Sequence, residues 1–302
     1  MPRVVITGAT SMIGTHLCKE FRNRGWEVYG IHRNQTQRLP DGVHSVCMGL
    51  SQYHTLSKVL PLSDVGVMLA WNGTRGQQRI DHALQHKNYE CSMDCLRELI
   101  QIGCHTIVTA GSQAEYGPQL SEEKVTEETI PQPDTAYGIE KKHLFEDSLR
   151  LCEAKNVRLL EPRFYSVYGP GDYEGSLVMQ TLHKMLRNEK CEFTECRHLW
   201  DFLYAEDAAA LLADLVSSGA ASGAYNFGSG DVRQLKDYVL EMKSTLHSQS
   251  ELDFGAISYI ENKVIHLNPD IAKLISAVGR RQFTSFKQGI QNLSESIRIA
   301  EI

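Results

Sequence analysis

Three side chains have the types and spacing of a proton-transfer device: Ser112, then Tyr137 25 residues on, with Lys141 four residues after it. A phenol ionises near pH ~10 and needs help to exchange a proton near neutrality. An ammonium one helical turn away gives that help by stabilising the phenolate, and positions i and i+4 share one helix face. Asp134-Thr135 is a helix start just ahead of the pair. Ser112 closes the apolar run Thr106 to Ala110, where its hydroxyl can donate to a substrate oxygen. A second Tyr-x-x-x-Lys, Tyr259 with Lys263, has no strand-end serine before it and no helix after it, and is read as coincidence.

The opening of the chain supplies a partner for this chemistry. Arg3-Val4-Val5-Ile6 is a short apolar run that ends in Thr7-Gly8-Ala9-Thr10-Ser11-Met12-Ile13-Gly14. A tight strand-to-helix turn of this kind aims backbone N–H groups at a pyrophosphate, and glycine allows close approach. Gly8, Thr10, Ser11, Met12, Ile13 and Gly14 are therefore expected against a dinucleotide, with Ser11 standing where a middle glycine is usual. The end of the second strand selects the dinucleotide. A carboxylate there would favour NAD, whereas His32-Arg33-Asn34 offers a guanidinium suited to a 2′-phosphate. The expected cofactor is NADP, with NAD as the alternative; Cys47-Met48-Gly49-Leu50, after the third strand, carries no acid for the adenine.

The elements that must position these residues alternate. Met12 to Arg24 reads as an amphipathic helix closed by Gly25, and Val28 to Ile31 as a second strand. Val65 to Leu69, Thr106 to Thr109 and Val157 to Leu160 are further buried strands, with helices around Asn88 to Ile102 and Tyr137 to Ala154. The polar stretch Gln35 to Gly42 is expected to be a mobile loop. Strand and helix alternating with short turns predict an α/β fold with a Rossmann doubly wound parallel sheet, whose ligands bind beyond the carboxyl ends of the strands. Residues 1–165 are assigned to the cofactor domain, with a return around 200–230. Residues 166–302, where the alternation weakens, are assigned mostly to a smaller mixed α/β substrate lobe.

Bulk properties bound the function. A chain of 302 residues with formal charge −6 has no basic footprint, so nucleic acid and membrane are not expected partners. No apolar run reaches transmembrane length and no signal peptide precedes the first strand, so a cytoplasmic location is expected. The eight cysteines form no C-x-x-C pair and read as reduced thiols, and the twelve histidines show no H-E-x-x-H pattern. Cys91 and Cys95 read as packing residues, and no metal is expected.

Together these motifs resemble the extended short-chain dehydrogenase/reductase family, in its branch of nucleotide-sugar epimerases, dehydratases and 4-ketoreductases. The likeness runs over nearly the whole chain. It includes the glycine turn, Ala70-Trp71-Asn72-Gly73, Gly111-Ser112-Gln113-Ala114-Glu115-Tyr116-Gly117 and Tyr137-Gly138-Ile139-Glu140-Lys141. Later blocks are Arg163 to Gly171, Trp200 to Tyr204, Tyr225 to Gly230 and Phe254 to Ile257, the last similar to reductases that make CDP-linked dideoxyhexoses. The resemblance implies that Ser112, Tyr137 and Lys141 are catalytic. It implies that Leu69, Ala70, Trp71, Tyr137, Lys141 and Arg163 also contact the cofactor. Trp71, Asn72, Gln113, Tyr165, Ser166 and Arg233 are implied to contact a nucleotide-sugar substrate. A homodimer is implied, formed by the helices near Cys91 to Ile100 and Leu144 to Cys152.

Departures from the family pattern narrow the reaction. The acid pair that drives water elimination after the catalytic serine is replaced by Gln113 and Ala114, and Glu115 comes one position late. Dehydration is therefore not expected. Trp200, Ile260 and Ser166 replace two arginines and an asparagine common at a diphosphate site, with Arg197, Arg233 and Arg280 as possible substitutes. The expectation is an NADPH-dependent reductase of a nucleoside-diphosphate 4-keto-6-deoxy sugar. The alternatives are an NAD-dependent 4-epimerase and a catalytically retired cofactor-binding regulator.

Overall fold

The computed structural model describes residues 1–259, 264–279 and 282–300. The chain begins with β1 (Arg3–Thr7), α1 (Met12–Asn23), β2 (Glu27–His32), β3 (His44–Cys47) and β4 (Val65–Met68). It continues through α2 (His82–Gln101), β5 (Thr106–Thr109), β6 (Gly111–Ser112), α3 (Ala136–Ala154), β7 (Arg158–Phe164) and β8 (Ser166–Tyr168). Next come α4 (Leu177–Leu186), β9 (Cys191–Phe193), β10 (Leu199–Trp200), β11 (Phe202–Tyr204), α5 (Ala205–Ser217) and β12 (Gly223–Phe227). The remainder is β13 (Arg233–Gln234), α6 (Leu235–Thr245), β14 (Leu252–Phe254), α7 (Ala272–Val278) and α8 (Phe286–Ala300).

Seven strands form one parallel path in the order β12-β7-β5-β4-β1-β2-β3. Val4, Val5, Ile6, Ile107 and Val108 have no exposed surface, as a sheet covered on both faces requires. One face is covered by α1, α5 and α7, the other by α2, α3 and the tight helical segment Leu50–Lys58. The chain runs outward from β1 to β3 and then crosses back to β4 on the other side of β1. The sheet therefore has its switch point between β1 and β4, where such sheets open a ligand crevice.

Past β7 the chain builds a third apolar cluster around Tyr168, Leu182, Phe202, Tyr238 and Phe286, from α4, α6, α8 and short strand pairs. It also returns to the main sheet, since β12 pairs in register with β7 and α5 lies along α1. The helix expected from Asn88 begins at His82, because the Asp81 carboxylate caps it by accepting from Leu84 N at 3.0 Å. Buried polar residues Gln85 and Asn88 on its inner face conceal that start in the hydropathy pattern. All eight thiols are free and all but Cys47 are buried; Cys91 and Cys95 pack in α2. No described helix is long and apolar enough to cross a membrane.

Candidate active site

The glycine turn closes directly on the switch point. Gly8 has φ +68°, and a Cβ there would lie 2.9 Å from Ala70 N; at Gly14 a Cβ would lie 2.2 Å from Gly8 O. Both positions therefore need glycine, the first for conformation and both for the close approach. Ser11 does not obstruct the turn, because its Oγ is folded back as the cap of α1, accepting from Gly14 N at 3.1 Å. The first N–H groups of α1 have no carbonyl four residues behind them and face the turn, which makes it an anion cradle.

A groove of about 330 Å³ runs from this cradle along the ends of β1, β2 and β4. Gly8, Thr10, Ser11, His32, Arg33, Asn34, Leu69, Ala70, Trp71 and Asn72 all line it, and Met12, Ile13 and Gly14 lie behind the lining in the first turn of α1. His32 is fixed at the strand end, bridging Asn34 O and Ser45 Oγ at 2.9 and 2.7 Å. Arg33 Nη1 donates to Asn72 Oδ1 at 2.8 Å, so Asn72, expected against the substrate, lies in this groove and steadies the guanidinium across it. No carboxylate is among the lining residues. Met48, Leu50 and Tyr53 supply an apolar wall at that end, where the sequence offered no acid for the adenine. The groove therefore fits a dinucleotide carrying an extra anionic group near Arg33.

The three candidate proton-transfer residues converge behind Trp71, which lines the groove. Thr135 caps α3 by accepting from Gly138 N at 3.2 Å, which sets Tyr137 and Lys141 on the helix face toward the sheet. β6 pairs with β7 beyond the end of β5 and carries Ser112 to the same place. Ser112 Oγ accepts from Ala114 N at 3.2 Å, leaving its proton for the Tyr137 oxygen, with which it is hydrogen-bonded. Lys141 Nζ donates to Ala110 O at 2.7 Å and lies 3.8 Å from the Trp71 ring centre. Trp71 is held in turn by Gln85, whose Oε1 accepts from Nε1 at 2.6 Å.

Burial dominates the electrostatics of this group. Burial raises the Tyr137 phenol above its ordinary value, opposed by the Ser112 hydrogen bond and by Arg79 and Arg75. The resting phenol thus holds its proton at neutral pH. Burial also pushes the Lys141 ammonium down to about 8, against the pull of Glu115 and Glu161. Arg79 and Arg75 went unrecognised in the sequence, although they stand four apart in Gly73-Thr74-Arg75-Gly76-Gln77-Gln78-Arg79. The Arg79 guanidinium lies 4.5 Å over the Tyr137 ring, and that of Arg75 lies 4.6 Å over Tyr173 and beside Asp172. They lie on an irregular segment with one short turn of helix, so no periodicity marked them.

Beyond Tyr137, Arg75 lies on a second cavity of about 600 Å³ between the sheet edge and the smaller lobe. Tyr165 and Ser166 line it, as do Lys184, His198 and Trp200. Tyr165 OH, His198 Nδ1 and Trp200 Nε1 are buried without partners, a cost of about 1–3 kcal/mol each that a polar ligand would remove. Burial and His266 hold His198 down to about 4, so it is neutral at pH 7. Asp201, next to Trp200, is fully buried and accepts from Ser229 N and Gly230 N, both at 2.7 Å. That clamp joins two segments singled out separately in the sequence.

Several expected positions lie elsewhere. Arg163 does not reach the groove: its Nε is 3.0 Å from both Glu115 Oε2 and Glu161 Oε2 in the interior, because two buried carboxylates demand a cation. Arg233 is paired with Glu241 at 2.7 Å and Asp231 at 3.1 Å, off the second cavity. Gln113 does not line that cavity, and Arg197 is paired with Glu195. Tyr259 belongs to the smaller lobe, where its hydroxyl accepts from Arg197 N at 3.1 Å and its ring packs on His198. Ile260, Lys263 and Arg280 fall outside the described residues.

A parallel sheet with a phosphate-binding turn at its switch point and a Ser-Tyr-Lys group at the same edge defines a short-chain dehydrogenase/reductase architecture. More narrowly, the chain matches the NAD dependent epimerase/dehydratase family over residues 4–228 and belongs to it. It is similar to the CDP-abequose synthase of Salmonella muenchen, with 22% identity over 96% of each chain. Among solved structures, its fold is similar to UDP-glucose 4-epimerase of Thermotoga maritima with UDP-glucose: TM-score 0.90, 18% identity, covering 99% of this chain and 100% of that one. The RMD protein of Pseudomonas aeruginosa, complexed with NADPH, shares the fold at TM-score 0.84 and 20% identity, with both chains fully covered.

Proposed function

We propose that this chain is an NADPH-dependent reductase of the 4-keto group of a nucleoside-diphosphate 6-deoxy sugar. The observation that carries the reading is the buried, protonated Tyr137 phenol, hydrogen-bonded to Ser112 and packed on Trp71 of a groove that is lined by Arg33 and by no carboxylate. NADPH, when bound, supplies the hydride that reduces the carbonyl carbon. Ser112 and Tyr137 hold the carbonyl oxygen, and Tyr137 gives it a proton as negative charge develops there. Lys141 stabilises the resulting phenolate, and Arg79 above the ring adds to that field.

Water elimination is disfavoured because Glu115 is committed to Arg163 and Ser112 N, at 3.0 and 2.7 Å. The unpartnered atoms of Tyr165, His198 and Trp200 mark where the rest of the substrate would lie. The end-to-end similarity to CDP-abequose synthase supports a nucleotide-linked sugar as that substrate. The second reading, a 4-epimerase, draws support from the fold shared with UDP-glucose 4-epimerase, since oxidation and re-reduction at one carbon use the same triad. A retired regulator is disfavoured by the complete triad.

Nucleotide content and affinity separate these readings. The purified protein is expected to carry no tightly held NAD and to bind NADPH more tightly than NADH. Arg33→Ala should weaken NADPH by about 10- to 100-fold, as for loss of charge-assisted hydrogen bonds, and leave NADH within a few-fold. Trapped NAD released on denaturation would instead favour the epimerase.

A further inference from the structure

Three consecutive residues, Ala110, Gly111 and Ser112, tie the proton-transfer group to a buried cluster of charges. Ala110 O accepts from Lys141 Nζ at 2.7 Å. Gly111 lies directly over two carboxylates: a Cβ there would come within 2.7 Å of Glu161 Cγ and 2.9 Å of Glu115 Oε1. Ser112 N donates to Glu115 Oε1 at 2.7 Å. Beneath them Glu115, Glu161 and Arg163 are 0, 1 and 3% exposed, with Arg163 bridging both acids.

The charges in this cluster do not balance without the lysine. Arg163 stands 3.0 Å from each acid and can offset only one of the two negative charges, and Glu115 is further committed to the Ser112 backbone. Two carboxylates sharing one guanidinium leave one surplus buried negative charge, and Glu161 is the acid with no backbone donor of its own among the described residues. The groups acting on it are Glu115, Arg163 and Lys141, and those acting on Lys141 are Glu115 and Glu161. The remaining neighbours are uncharged: Trp71 under the ammonium, Tyr137 on the same helix, and Tyr116, whose hydroxyl donates to Asn226 Oδ1 and whose ring faces Arg163. A buried surplus charge is strongly disfavoured, so the ammonium and the surplus carboxylate charge stabilise one another. Burial draws both toward their neutral forms, Lys141 downward and Glu161, with Glu115 beside it, upward; Arg163 and Lys141 oppose this at Glu161, and Glu115 and Glu161 oppose it at Lys141.

We propose that Glu161, backed by the Arg163–Glu115 pair, is a positioning residue that holds Lys141 in its charged form and so sets the upper pH limit over which Tyr137 can act. The proposal rests on the reading of Tyr137 as the general acid, but its test does not depend on turnover. The sign follows from the lysine: the ammonium is present below its pKa and lost as pH rises through it. Removing a neighbouring negative charge moves that loss to lower pH.

The test is Glu161→Gln, which keeps the volume and an oxygen for Arg163. Nitrogen NMR of the Lys141 ammonium, assigned by its loss in Lys141→Met, is expected to titrate about one pH unit lower, a tenfold loss of proton affinity. The alkaline limb of kcat should move with it while the KM for cofactor stays unchanged, a split that loss of packing alone would not give. An unmoved Lys141 titration overturns the proposal, since it means that Glu161 is neutral in the resting protein. Should the variant not fold, the wild-type midpoint decides: buried partners hold it in place between about 0.05 and 0.5 M salt, and a midpoint that shifts assigns it to surface charge and overturns the proposal. If the lysine titration shifts as stated but no keto-sugar is reduced, the substrate reading fails and this one stands.

Discussion

Tyr137→Phe is expected to lower kcat/KM for the keto-sugar by about a hundred- to ten-thousand-fold, the range for loss of a positioned acid. The change deletes one oxygen. The ring keeps its edge contact with Trp71, at 6.2 Å between centres, and Arg79 still lies over its face. The helix is unaffected, since its cap is Thr135 and its inner face is closed by Leu144 and Cys152. NADPH affinity and melting temperature should therefore stay close to wild type, which separates chemistry from folding. Ser112 alone would still donate to the carbonyl oxygen but could not complete the transfer, because an aliphatic hydroxyl is a far weaker acid than a phenol. Single-turnover hydride transfer within threefold of wild type would remove Tyr137 from the acid's place.

Gly14→Ala is expected to weaken dinucleotide binding by about a hundredfold or more and to cost about 1–3 kcal/mol of stability, the usual range for overpacking. The added carbon would lie 2.2 Å from Gly8 O and 2.9 Å from Ala9 Cα, and backbone cannot rotate away as a side chain can. Relief requires α1 to move off the turn. That movement would break the Ser11 cap and withdraw the N–H groups that the pyrophosphate needs. Titration with NADPH and thermal unfolding measure the two effects. Gly25→Ala is the control for helix α1, because nothing lies within 4 Å of a Cβ there, though its φ of +78° will cost some stability without touching the groove. Unchanged NADPH affinity in Gly14→Ala would mean that the cradle is not the phosphate site.

How far the sequence reached depended on the range of the interactions. Gly8, Gly14 and Ser11 act within one turn, and the Tyr137–Lys141 face and the Thr135 cap lie within one helix, so spacing and residue type were enough to find them. Burial on both faces made the β1, β4 and β5 strands legible as apolar runs. Arg163 was misplaced because a match to a family block on a strand says nothing of which way its guanidinium turns, and two carboxylates, from residues 115 and 161, decide that in the interior. Arg233 was lost to Glu241 and Asp231 for a similar reason. His198 and the Arg75–Arg79 pair gave no signal, since an irregular segment has no period to read.

By itself the sequence determined the sheet and its wrapping helices, the close-packed glycine turn at the head of α1 and the grouping of Ser112, Tyr137 and Lys141, all consequences of local geometry and apolar patterning. Only the tertiary structure decided the surroundings of those residues. It set the guanidinium of Arg79 over Tyr137 and the cluster of Glu115, Arg163 and Glu161 below Lys141. It also left Tyr165, His198 and Trp200 with unpaired atoms around one cavity. These contacts join segments tens of residues apart, and the crossover from β3 back to β4 and the return of β12 to β7 bring them together. The strength of a buried charge depends on which neighbours the fold delivers, and no local pattern encodes that.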